Sequence, residues 1–139
     1  MKRLLSIFLV VLFLPPLWGA PTKSSTVVAN DITMTAGAGD VTSSDLDLTG
    51  SYRTDCVIRF TNGATGPTIA PRVDVVVSED TTAGNYSKLF TVNGDTVNSS
   101  VNVRPFTMPD SVMHAKFVSG SNTGQNVTLR IVCMKTTGI

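Results

Sequence analysis

The sequence carries few residues of the types that do chemistry, and two cysteines are the most informative of them. Cys56 and Cys133 each lie on the apolar side of an alternating, β-type segment, beside Ile58 and Ile131. In an oxidising compartment such a pair can form a disulfide. The alternative is two buried free thiols that pack as small hydrophobic side chains. A disulfide between them would close most of the domain into one loop and contribute roughly 3–5 kcal/mol through the unfolded chain.

Residues for acid–base or nucleophilic catalysis are sparse. The sequence has one histidine, His114, on the polar side of a β-type segment beside Lys116. A Ser–His–Asp site needs a serine placed by the histidine and a third residue that orients the ring. The alternation instead predicts a histidine at the surface. We therefore predict that the protein is not an enzyme and has no catalytic residue and no cofactor.

Acidic side chains occur in two short groups, Asp45 with Asp47 and Glu79 with Asp80. Carboxylate oxygens suit Ca²⁺, but a calcium-binding loop has a denser series of them. No group of histidines and cysteines has the spacing of a zinc site. We expect both acidic groups to be solvated, and we predict no metal site.

Two tyrosines, Tyr52 and Tyr86, are candidates for stacking against a sugar ring. The alternative is a tyrosine whose ring packs against the protein while its hydroxyl remains in water. The phenylalanines beyond residue 20 are predicted to belong to the core: Phe60, Phe90, Phe106 and Phe117.

Residues 1–20 have the layout of a secretory signal peptide. Lys2 and Arg3 precede an apolar run, residues 4–14, that ends at two prolines and is followed by small residues. The run is too short to span a bilayer, which requires about 20 helical residues. The expected cleavage point is poor, because a bulky residue stands where a small one is preferred. The alternative is a segment that stays attached as an anchor or packs inside an assembly.

The charges are nearly balanced and scattered, with 11 Lys and Arg against 10 Asp and Glu. Removal of Lys2 and Arg3 with the leader leaves a slight negative excess. Nucleic-acid binding requires a basic stripe, so this pattern argues against it and against an anionic membrane surface. Thr, Ser, Val, Asn and Gly are abundant, which is typical of strands and turns rather than helices.

Beyond the leader, short β-type runs alternate with turn residues. Asn93 and Gly94 are a strong turn signal, and we predict a tight hairpin there. No segment has a useful helical stripe of apolar residues. The predicted β-type runs are 26–29, 32–35, 45–49, 55–61, 72–78, 86–92, 96–104, 112–118 and 126–135.

Such a series predicts an all-β fold, an antiparallel β-sandwich or jelly roll of about eight strands preceded by the N-terminal hydrophobic segment. Two packed sheets would bury the apolar side of every run. The expected organisation is a signal peptide or hydrophobic segment at 1–20, a flexible arm or edge strand at 21–40, and a β-sandwich domain at 41–139. As an arm, residues 21–40 would become ordered against a neighbouring subunit.

Residues 55–134 also resemble a group of small tailed-phage proteins that are virion components. The similarity is carried by the strand at 56–60 with the turn at 61–67, by the valine-alternating strand and acidic turn at 73–80, and by residues 121–128 before the last strand. The resemblance implies a β-sandwich subunit of a head, tail or decoration structure that acts through protein–protein contacts. It implies no catalytic residue.

Two functions are therefore expected from the sequence. The first is a non-enzymatic structural subunit of a virion or extracellular assembly, whose partners are copies of itself or other virion proteins. The second is a secreted adhesion or glycan-binding module, which the leader and the polar loops favour. The expected location is the virion or the extracellular space.

Overall fold

The structure, a computed structural model, describes residues 19–34, 40–80, 84–120 and 124–138. Across these ranges the regular structure consists of nine strands and no helix. The strands are β1 (Thr22–Met34), β2 (Val41–Thr42), β3 (Leu46–Asp47), β4 (Ser51–Asn62), β5 (Arg72–Ser78), β6 (Ser87–Asn93), β7 (Val101–Met108), β8 (His114–Gly120) and β9 (Val127–Thr137).

The strands form two antiparallel sheets. The first sheet has the order β1-β9-β4-β7, and the second has the order β2-β8-β5-β6, with the short β3 also paired to β8. If β2 and β3 are counted as one interrupted strand, eight positions remain, and the first pairs with the last, the second with the seventh, the third with the sixth and the fourth with the fifth. One long hairpin rolled into two sheets gives this pattern, which is the jelly roll. The predicted all-β sandwich is confirmed.

The core lies between the sheets and contains many of the residues that the alternation predicted. Cys56, Ile58 and Phe60 point inward from β4, and Val73 and Val75 point inward from β5. Strands β8 and β9 contribute their alternate positions in the same way. These inward side chains hold the two sheets together, because burial of each apolar side chain of this size stabilises the fold by roughly 1.5–3 kcal/mol.

Strand β1 forms one edge of the first sheet and pairs with β9 along its length. The predicted run 26–29 and residues 32–34 of the next run belong to this single strand, because Asn30 and Asp31 form a bulge rather than a turn. The register shifts there, and Asp31 adopts a positive φ of 50°. Ala29 and Met34 of this strand are buried in the core. Residues 35–39 lie outside the described ranges.

The hairpin predicted at Asn93 and Gly94 is wrong. Strand β6 ends at Asn93, but β7 pairs with β4 in the first sheet rather than with β6. The Gly94 N–H donates to the Pro71 carbonyl at 2.8 Å, and a Cβ at Gly94 would lie 3.2 Å from the Phe60 ring. The glycine therefore permits a close approach to the core, and the chain crosses to the other sheet.

A polar network holds this crossing. The buried Asn62 amide nitrogen shares its two protons among acceptors 2.9–3.1 Å away on Asp95, Val97 and Ser100. The Asp95 carboxylate in turn accepts from the Ser100 hydroxyl and the Val97 N–H. Hydrogen bonds from Ser100 and Asn102 hold the pKa of Asp95 below its usual value. A hydrogen-bonded loop that crosses between the sheets thus takes the place of the hairpin turn predicted at Asn93 and Gly94.

Residues 1–18, which carry most of the predicted signal peptide, lie outside the described ranges, and the signal peptide stays a prediction. Within the described ranges, no helix is both long and apolar enough to cross a membrane.

Candidate functional site

The outer side of the first sheet carries a row of apolar side chains that crosses all four strands. Val27, Val132, Val57 and Pro105 are successive partners in the register of β1, β9, β4 and β7. They point away from the core, because the alternate positions on the same strands point into it. Further apolar side chains lie beside this row on the same side. We call the row and these neighbours the outer apolar face: Val27, Val57, Val101, Val103, Pro105, Val132 and Met134.

The first half of strand β7, residues 101–104, has the opposite polarity to a strand of an isolated sandwich. Val101 and Val103 point outward and are 57% and 52% exposed. Asn102 and Arg104 occupy the inward register, and the Arg104 side chain donates to the Asn93 carbonyl of the second sheet at 3.2 Å. A charged inward residue protects a sheet edge from unwanted pairing. Edge protection by Arg104 does not explain why Val101 and Val103 face solvent, because the solvent side of a strand usually carries polar residues.

A charged flank borders the outer apolar face on one side. Arg59 and Arg130 are direct partners across β4 and β9, a placement in which like charges repel. Asp31 forms ion pairs with both, at 3.5 Å and 3.4 Å, and Arg130 also donates to the Asn30 amide oxygen. The bulge in β1 brings Asp31 into this position. We call Asp31, Arg59 and Arg130 the first flank.

A second flank borders the other side. Arg53 forms an ion pair with Asp55 at 2.9 Å, and the Thr107 hydroxyl donates to the same carboxylate at 2.7 Å. These hydrogen bonds, with the nearby charge of Lys23, hold the pKa of Asp55 below its usual value. We call Lys23, Arg53 and Asp55 the second flank. Each flank thus combines two cations with one carboxylate, and the apolar row lies between them.

A hydrogen-bonded polar cluster covers part of the outer side of the second sheet, which also carries Val76 and Val118. The Asp45 carboxylate accepts from the Tyr86 hydroxyl and from His114 Nδ1, the latter at 2.8 Å. The Lys116 ammonium lies 4.2 Å from the centre of the Tyr86 ring, a cation–π contact. These contacts tie the segment between β2 and β3 to β8 and to the start of β6.

The prediction that His114 lies at the surface is wrong. Its side chain does point to the outer side of the second sheet, as the alternation indicated. However, the residue is only 7% exposed, and Asp45 lies against it. Asp45 is 69 residues away along the chain, so no local pattern could have revealed this cover.

The two tyrosines predicted to stack on a sugar lie in different parts of the fold. Tyr52 is on β4 of the first sheet, with its side chain exposed. Tyr86 precedes β6 of the second sheet and is engaged by Asp45 and Lys116. The structure does not bring them together into one platform, and their role in glycan binding stays a prediction.

The Tyr86 hydroxyl is expected to lose its proton at a higher pH than an ordinary tyrosine. Burial and the hydrogen bond to Asp45 raise the pKa of Tyr86 to about 12 from 10.0. A raised pKa means that the neutral form stabilises the fold below about pH 10, and that this stabilisation is lost as the pH rises through about 12. When the ultraviolet absorbance of tyrosinate is followed against pH, one tyrosine should ionise at a higher pH than an ordinary tyrosine. This component should be missing in Tyr86→Phe. If the missing component titrates near pH 10 instead, the Asp45 contact is not present in solution.

Cys56 and Cys133 are direct partners in the register of β4 and β9, and the structure joins their sulfur atoms in a disulfide. Both side chains point into the core, as their alternation with apolar residues indicated. The two strands are central neighbours of the first sheet although the residues are separated by 77 positions. Strand adjacency of this kind is set by the rolled topology.

Carboxylates of both acidic groups considered for calcium have other partners. The Asp80 carboxylate accepts from the Asn85 amide at 3.2 Å. The Asp47 carboxylate accepts from the Thr49 N–H at 2.9 Å, a local turn contact. Asp45 belongs to the cluster on the second sheet. Among the described residues, no three His, Cys, Asp or Glu side chains are grouped so that they could hold a metal ion.

The pairing of eight strand positions described above defines the class of the chain, a jelly-roll β-sandwich. No protein-family model and no curated protein matches its sequence. Among solved structures it is similar to a chain of infectious bursal disease virus, Gx strain, with a TM-score of 0.55 and 12% identity over 97% of this chain. A chain of the T13 particle of that virus gives 0.55 with 13% identity over 94%.

A chain of dimeric latent PorU from Porphyromonas gingivalis gives a TM-score of 0.53 with 12% identity over 87% of this chain. Identities this low show a shared fold. This chain spans 37% and 36% of the two viral chains and 13% of PorU. The comparisons give no support to tailed-phage proteins in particular.

Proposed function

We propose that this protein is a non-enzymatic structural subunit of a virion or an extracellular assembly, and that it acts through protein–protein contacts. The observation that carries the proposal is the outer apolar face. Large exposed apolar patches bordered by polar residues mark sites of protein interaction. Here the patch crosses all four strands of one sheet, while a polar cluster covers part of the outer side of the other sheet.

The fold supports the same function. Jelly rolls serve as subunits of viral shells, although lectins and enzymes use them too. The solved viral-particle chains share this fold over almost the full length of the chain. A role in the head, tail or decoration of a phage is the more specific form of this proposal. In either form, the partners are proteins, and the location is the virion or the extracellular space.

Purification of particles from the native source tests this function. The protein should sediment with the particles through a density gradient and be present at a fixed, stoichiometric copy number by quantitative mass spectrometry. A protein that is absent from every particle fraction and remains a monodisperse monomer would contradict the proposal. Retention on a glycan array by such a monomer would favour the secreted binding module instead.

A further inference from the structure

We propose that the outer apolar face binds the same face of a second copy of this chain. This inference rests on the proposed function and identifies the surface and the partner. The occupant must present apolar side chains over four strands and must accommodate two flanks of mixed charge. A second copy of the face has both properties.

The arrangement of the face makes it self-complementary. The row of Val27, Val132, Val57 and Pro105 runs across the strands. A half-turn about an axis along this row therefore places the row of one copy on the row of the other. Such an isologous contact uses one patch twice and is the commonest symmetry of homo-oligomers. It also aligns the strands of the two sheets, as packed sheets prefer.

The charges favour this orientation. The half-turn about the row places the first flank of one copy over the second flank of the other. Each flank contains one carboxylate between two cations. The cations of either copy can then reach a carboxylate of the other, so that charged groups at the rim need not face only like charges.

The second sheet is a poorer partner for the face. Its outer side carries Asp74, which accepts from the Thr91 hydroxyl and lies 3.9 Å from the Lys88 ammonium. Asp45 and Lys116 occupy another part of it with Tyr86. An apolar row placed on these groups would remove water from charges without replacing their hydrogen bonds, which is unfavourable. A head-to-tail contact between unlike sheets is therefore not expected.

The size of the face indicates a weak contact. Four strands spaced about 4.8 Å apart, each contributing about seven residues of 3.4 Å, give roughly 450 Å² of flat area. A stable pairwise interface buries about 800 Å² on each partner. The contact suits an assembly in which several weak contacts act together, and isolated copies should associate only at high concentration.

A pair of matched variants tests the inference. Val57 lies in the centre of the face on β4 and is 39% exposed, and Val41 lies on β2 of the second sheet and is 42% exposed. Val57→Lys and Val41→Lys thus introduce the same charge at strand positions of similar exposure. Both variants and the wild type, each with its native N-terminus, are compared by sedimentation over a concentration series that reaches about 1 mM. Circular dichroism establishes that each is folded.

The inference predicts that Val57→Lys weakens self-association by about tenfold or more, because two lysines would face each other at a buried apolar contact. Val41→Lys should associate as the wild type does. Equal association of all three proteins would overturn the inference while leaving the structural function intact. A wild type that never associates, and is absent from particles, would overturn both. Association only after removal of residues 1–20 would also overturn the inference, because the chain's own N-terminal segment would then cover the face in the intact protein.

Discussion

Reduction of the Cys56–Cys133 disulfide is expected to lower the free energy of unfolding by roughly 4 kcal/mol, within the range of about 3–5 kcal/mol for a long loop. The bond joins residues 77 positions apart and so restricts most of the unfolded sandwich. Typical domains are stable by only about 5–15 kcal/mol. Loss of this bond would therefore remove a large part of the stability of the protein.

Denaturant unfolding with and without a reductant measures this effect. The double variant Cys56→Ala with Cys133→Ala is the control, because the chain contains only these two cysteines. Reductant should destabilise the wild type and leave the double variant unchanged. An intact mass that shows two free thiols in the native protein would contradict the disulfide and favour the reduced alternative.

Truncation of Phe60 to alanine is expected to cost about 3–5 kcal/mol of unfolding free energy. Phe60 lies on β4, a central strand of the first sheet, and is completely buried. Its ring contacts the region of Gly94, where the chain crosses between the sheets. The cavity left by the ring would therefore lie between the core and this crossing, where rigid neighbours limit collapse.

Val57→Ala is the control for Phe60→Ala, since Val57 lies on the same strand but points to solvent. In dilute solution, where the weak self-contact is not expected to form, this change should lower the free energy of unfolding by no more than about 1 kcal/mol. Denaturant unfolding of both variants at low concentration makes the comparison. A loss below about 1 kcal/mol for Phe60→Ala would show that β4 does not lie in the core as described.

The inward sides of the strands could be predicted from the sequence, because alternation depends only on neighbouring residues. Cys56, Ile58 and Phe60 illustrate this: their period of two predicts a common face, and all three are buried. Two packed sheets then follow, since these faces must be covered. The predicted sandwich and most of its core needed no information about strand partners.

Strand partners could not be predicted, because they depend on contacts between distant residues. Asn93 and Gly94 carry a strong turn signal, yet Gly94 approaches Pro71 and the chain crosses to the other sheet. His114 is covered by Asp45 for the same reason, through a contact that no local pattern contains. The adjacency of the two cysteines also follows from the topology rather than from their spacing.

The outer apolar face was missed because alternation shows that a strand has two sides but not which side faces the core. In β7 the valines alternate with Asn102 and Arg104, and the usual assignment would turn the valines inward. The register with β4 shows the reverse. Asn102 and Arg104 on the side opposite to the valines favour the usual assignment, so the local sequence gives no signal of the reversal.

Electron cryomicroscopy of the native assembly tests the central claim most directly. We predict a map in which the chain is a repeated subunit and the first sheet of one copy faces the first sheet of another, with Val57 buried at the contact. The flanks should then lie at the rim, with Asp31 and Asp55 near cations of the partner copy. A map in which the outer apolar face is exposed to solvent, or is covered by anything other than a second copy, would contradict the account.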